Sequence, residues 1–177
     1  MNFLDEFGLC ASDKKVTYQW PVTEGRLNTV FGPTTPVDTN KGKSNPQHNA
    51  IDLAPVIPGK VGQPIKAMAD GVVVFAGDAK DGYGNSVVIQ QADGSKSRYS
   101  HSDTLIVKAP LTVTAGTVIA TMGNTGKSGG VHADVRITDN KGQYIDPLTV
   151  LPNIPSTIKV NTLYVNVNPV TGVLTNK

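Results

Sequence analysis

Apolar and polar residues alternate with a period of two over most of the chain from residue 64 onward. Residues 129–137, GGVHADVRI, show this well: Val131, Ala133, Val135 and Ile137 fall on one face. His132, Asp134 and Arg136 fall on the other, because side chains at i and i+2 of a strand share a face. Residues 64–79, PIKAMADGVVVFAGDA, carry apolar runs around an Asp-Gly turn. Residues 86–91 and 96–101 form a predicted hairpin closed by ADGS. Residues 111–146 repeat the habit, with glycine at nearly every turn. Five to eight short strands with tight turns predict an all-β, sandwich- or barrel-like domain. No alternating helical pattern appears, which argues against a doubly wound α/β fold.

The two ends break this pattern. In residues 1–17, Phe3, Leu4 and Phe7 lie at helical spacing, which predicts a short docking helix. The β domain is expected over 18–152. Residues 153–177 end in two short apolar runs around PVTG, which predicts a further hairpin extension. An isolated hairpin is marginal in water, so this one is expected to pair with the domain or with another chain. Residues 32–47, rich in Pro, Gly, Asn and Lys, form a long polar loop of the kind that covers sites or recognises substrate.

Composition narrows the function. The chain has 177 residues, a formal charge of +2 and one cysteine, Cys10, so no internal disulfide forms. Its basic residues are scattered, which excludes a nucleic-acid surface. No apolar run reaches the length of a membrane span. The N-terminus lacks the apolar core of a secretory signal, so synthesis in the cytoplasm is expected.

The three histidines, His48, His101 and His132, all lie near predicted strand ends, which favours one shared site. A zinc hydrolase needs three His, Asp or Glu ligands, an open position for water, a base and an oxyanion donor. Candidate ligands are His48, Asp52 and Asp134, with His101 and His132 left for catalysis; spacing does not fix that assignment. H-E-x-x-H, C-x-x-C and G-x-S-x-G are all missing, so serine or cysteine nucleophile chemistry has little support.

The order of motifs resembles the lysostaphin/LytM-type zinc metallopeptidases, which are peptidoglycan endopeptidases. The resemblance runs from Trp20 to Leu151. It comprises WPV (20–22), VFG (30–32), His48-x-x-x-Asp52, AMADGVVVFAG (67–77), GYGNSVVI (82–89), RYSH (98–101), AGTVIATMGNTG (115–126), SGGVH and DPL (146–148). It implies a compact, mostly antiparallel β fold with a groove over a metal site. It also implies zinc on His48 and Asp52, with His101 and His132 as the catalytic, non-ligand histidines. His132 would then be the general base, and His101 would help hold the oxyanion.

Two positions depart from the pattern. The third ligand is usually the second His of H-x-H, followed by Phe and Glu; here Asp134, Val135 and Arg136 stand there. Ala50 replaces the usual glycine of the first motif. Aspartate is a legitimate zinc ligand. A His-Asp-Asp site would be formally neutral, would polarise water less, and would accept manganese or another divalent metal. In one reading Arg136 lies behind the metal and donates to the ligating Asp134. In the other, Arg136 pairs with Asp134 or Asp52, replaces the metal's charge, and leaves a dead site.

The function expected is therefore a metal-dependent endopeptidase acting on peptide stems of bacterial peptidoglycan. The alternative is a degenerate peptidoglycan-binding, structural or regulatory module of the same fold. A wall-cutting domain with no signal peptide suggests action at the cell wall or periplasm from a phage virion or injection machine. The terminal segments would then dock on other virion or tail proteins.

Overall fold

The computed structural model describes residues 15–33 and 47–161, together with the backbone of 165–167 and 174–176. The docking helix expected in 1–17 and the loop expected over 32–47 lie mostly outside the described residues. Strands, all short, follow one another as β1 (Gly25–Thr29), β2 (Gly32–Pro33), β3 (Gln47–His48), β4 (Ile51–Ala54) and β5 (Pro64–Lys66). Next come β6 (Gly71–Asp78), β7 (Asn85–Gln90), β8 (Lys96–Ser100), β9 (Leu111–Val113), β10 (Val118–Thr121) and β11 (Ala133–Thr138). The last are β12 (Tyr144–Ile145), β13 (Ile158–Val160), β14 (Val165–Val167) and β15 (Leu174–Asn176). The described residues hold no α-helix, only a 3-10 turn at Pro147–Thr149.

A nine-stranded sheet runs β13-β1-β4-β11-β8-β7-β6-β9, with β12 also pairing β11. Every pair is antiparallel except β1 with β13. The fold is all-β and mostly antiparallel, as the alternation predicts. The ADGS hairpin forms between β7 and β8. The structure has more strands than the sequence suggests. Two-residue strands such as β2, β3 and β12 are too short to show a period, and β5 with β10 pairs across more than fifty residues. β14 and β15 pair antiparallel around residues 168–173.

The core lies between the large sheet and the β5–β10 pair. Leu27, Ile51, Leu53, Val73, Val87, Ile89, Val135 and Ile137 come from the large sheet; Ile65, Ile119 and Ala120 come from the small one. Each is essentially inaccessible to solvent. Full burial of an aliphatic side chain of this size contributes about 1.5–3 kcal/mol. Tyr99 on β8 is buried too: its hydroxyl accepts from the Met68 N–H (2.7 Å) and donates to Ser97 Oγ (3.1 Å). Burial pushes its phenol up to about 12. With the apolar face of β4, β8 and β11 committed to this core, their other face lies on one side of the sheet.

Candidate functional site

β11 is the spine of that other face. Its register sets Asp134 opposite Asp52 of β4 and opposite Ser100 of β8; Arg136 lies opposite Arg98 of β8. Two like-charge pairs therefore stand side by side, each destabilising if left alone. His48, at the end of β3, and His132, just before β11, complete the cluster. The cavity they line with Tyr83 and His101 has a volume of about 510 Å³.

His48, Asp52 and Asp134 form a possible metal group, with one donor atom from each lying within 4.8 Å of the others. His48 Nε2 is 3.4 Å from Asp52 Oδ1 and 3.8 Å from Asp134 Oδ2, which are ion-pair distances. Its Nδ1 lies 3.2 Å from the Val30 carbonyl oxygen and donates to it, since a carbonyl can only accept. Burial alone would lower the His48 pKa; the two facing carboxylates outweigh it and hold the imidazole at about 10. Burial likewise opposes ionisation of Asp52, but the facing His48 holds its carboxyl below the usual range. Asp52 Oδ1 is buried without a hydrogen-bond partner.

Asp134 is different. Arg136 Nε donates to its Oδ1 at 2.7 Å and Nη2 to its Oδ2 at 2.8 Å. This is the bidentate fork that guanidinium and carboxylate geometry favours. Although burial works against the charged form, Arg136 and His48 hold the Asp134 carboxyl far below the usual range. The third nitrogen, Nη1, donates to Tyr83 Oη at 2.7 Å. The Tyr83 ring packs on two cations, with Arg136 Cζ 4.1 Å and Arg98 Cζ 4.6 Å from its centroid. Arg98 in turn donates to Asp81 Oδ2 at 2.7 Å. The like-charge pairs of the register are thus resolved sideways, along β11 and through Tyr83.

A divalent ion needs more than donors of the right type. Zinc on Asp134 Oδ2, at its usual 2.0–2.2 Å, would sit within about 5 Å of Arg136 Nη2. At an effective dielectric near 20, that placement costs on the order of 5 kcal/mol of repulsion between a double and a single positive charge. That repulsion weighs against a resident catalytic metal, and the attraction of the two carboxylates weighs for one.

The two remaining histidines are held by backbone. His101, 5% exposed, follows β8 in the left-handed region at φ 60°. Its N–H donates to the Tyr83 carbonyl (2.9 Å) and its Nδ1 to the Thr125 carbonyl (2.8 Å), leaving Nε2 as the acceptor nitrogen. Burial lowers its pKa. His132 Nδ1 donates to the Gly130 carbonyl at 2.8 Å, and its Nε2 lies 3.7 Å from Asp52 Oδ1. The two rings are 4.9 Å apart. Gly84 and Gly126 explain the glycines of GYG and NTG. Both have positive φ, and a Cβ on either would collide with the backbone of the other's loop. Their contact brings Thr125 beneath His101.

The structure thus brings all six sequence-derived residues to one cavity: His48, Asp52, His101, His132, Asp134 and Arg136. Ala50 is fully buried beside them. Tyr83, Arg98 and Asp81 had no assigned role in the sequence reading. Tyr83 and Arg98 do lie within GYGNSVVI and RYSH, and Arg98 shares a strand face with Ser100, opposite Tyr99.

The profile of peptidase family M23 matches residues 46–147. Murein hydrolase activator NlpD of Escherichia coli K12 is 42% identical over 137 residues, covering 77% of this chain and 31% of that protein. Outer membrane antigenic lipoprotein B of Haemophilus influenzae is 37% identical over 138 residues, 77% of this chain and 30% of that one. The chain thus spans less than a third of the length of these relatives. Among solved structures, the catalytic domain of lysostaphin from Staphylococcus simulans superposes with a TM-score of 0.61. Its sequence identity is 26%, over 71% of this chain and 90% of that domain.

Proposed function

Starting from a chain that belongs to peptidase family M23, we propose that this protein is a non-catalytic regulator of peptidoglycan hydrolysis. In this reading it activates a murein hydrolase at the cell wall and does not cut the wall itself. One observation carries the proposal: both oxygens of Asp134, at the third-ligand position, are engaged by Arg136. That engagement supports a site that works without a metal to activate water. The likeness to the activator NlpD supports the same reading. In place of a particle-borne lytic protein, for which these relatives lend no support, the names of the relatives favour the cell envelope.

The cavity would then serve as a docking surface for the hydrolase or for peptidoglycan stems. His101 and His132 would present imidazole nitrogens along one wall, and Lys127 would present a cation. The test uses dye-labelled sacculi, a purified murein hydrolase and the chain, with and without zinc. The expected result is faster dye release by hydrolase plus chain than by hydrolase alone, with no release by the chain alone. Release by the chain alone, abolished in His48→Ala and His132→Ala, would overturn the proposal. It would restore the metallopeptidase reading, with His48, Asp52 and Asp134 as ligands and His101 and His132 as catalytic residues.

A further inference from the structure

Arg136 does more at this site than block a ligand. Asp134 and Asp52 are directly opposite one another on β11 and β4, and the Asp134 side chain is only 5% exposed. His48 stands between the buried Asp134 and the partly buried Asp52, so two carboxylates in register share one imidazolium and need a second cation beside them. The Arg136 side chain is itself 12% exposed. It is aimed by three hydrogen bonds, two to Asp134 and one to Tyr83, and by the ring face of Tyr83. A guanidinium does not lose its proton under any condition in which a protein folds, so this cation is permanent.

We propose that Arg136 is the pocket's built-in cation: it stands in for a divalent metal, assembles the site metal-free, and masks a latent metal site formed by His48, Asp52 and Asp134. Removal of the guanidinium would leave three donors already within 4.8 Å of one another, with His48 facing two carboxylates and one negative charge uncompensated. That is the donor set a zinc or manganese ion takes. The inference shares the Arg136–Asp134 contact with the proposed function, but its test measures metal content and thermal stability and never sacculus turnover, so the two can fail separately.

The experiment uses the full, tag-free chain, stripped with chelator and then supplied with excess zinc or manganese. Metal content is read by mass spectrometry and Tm by calorimetry. Wild type is expected to retain substoichiometric metal and to melt at the same temperature with chelator or zinc. Arg136→Gln is expected to melt lower in chelator, to take up about one equivalent of zinc, and to regain Tm with zinc concentration as a ligand specific to the folded state requires. The double variant Asp134→Asn with Arg136→Gln removes both charges together. It is expected to melt above Arg136→Gln in chelator and to gain nothing from zinc. If Arg136→Gln fails to fold while the double variant folds, the counter-charge role is upheld. One equivalent of metal on wild type would overturn the proposal. So would an Arg136→Gln protein that folds without gaining metal, or a double variant that melts no higher than the single one or does not fold.

Discussion

The two halves of the cavity are built on different principles. In the half formed by His101 and His132, each imidazole is oriented by a backbone carbonyl at Nδ1. In the half formed by His48, Asp52, Asp134 and Arg136, charges hold one another, and the carboxylate opposite Asp52 is tied to a guanidinium two residues along its own strand. The first half keeps the features a family peptidase would use. The second holds a cation that the chain itself carries, the Arg136 guanidinium. The contrast teaches that one wall of a cavity can be set by backbone and the facing wall by mutually compensating charges.

The contrast is broken most directly at Asp134. Asp134→Ala would leave the Arg136 guanidinium buried without its carboxylate, and a loss of about 3–5 kcal/mol in denaturant unfolding is expected. Tyr83→Leu removes both an acceptor for Arg136 and the ring that packs on two cations. About 1–3 kcal/mol should be lost, with Tyr83→Phe recovering part of it. The charged half should also respond to pH. His48 sits at about 10, against an ordinary value of 6.5, so the folded protein holds a proton that the unfolded chain releases. Its contribution is complete below about pH 6.5 and is lost as the pH rises toward 10. A Tm series across that window should fall for wild type and flatten in His48→Gln. The smallest effect belongs to the other half: His132→Ala should change unfolding free energy by no more than about 0.5 kcal/mol. A larger loss there would mean that the histidine wall also carries the fold.

Much of this architecture was legible along the chain. The alternation in 129–137 separated the core residues Ala133, Val135 and Ile137 from Asp134 and Arg136, because the strand's period of two leaves no other arrangement when one face is buried. The ADGS turn specified β7–β8 for the same local reason. The small sheet was not legible, since β5 and β10 pair across more than fifty residues and no local pattern marks them as partners. The convergence of His48, Asp52 and Asp134 is likewise a matter of which strands neighbour β11. The role of Tyr83 was hidden because it reaches Arg136 from a loop more than fifty residues away.

By itself, then, the sequence determined an all-β domain, the two faces of β11, and a short list of residues able to share a site. Those properties follow from local periodicity and side-chain chemistry. Only the tertiary structure decided what Arg136 does. The strand face placed it beside Asp134, and the long-range register set what surrounds that pair. β4 sets Asp52 across from Asp134, β8 sets Arg98 across from Arg136, and Tyr83 closes over both arginines. Charges buried at such close range must be neutralised where they stand, and here the nearest cation is one the chain itself carries.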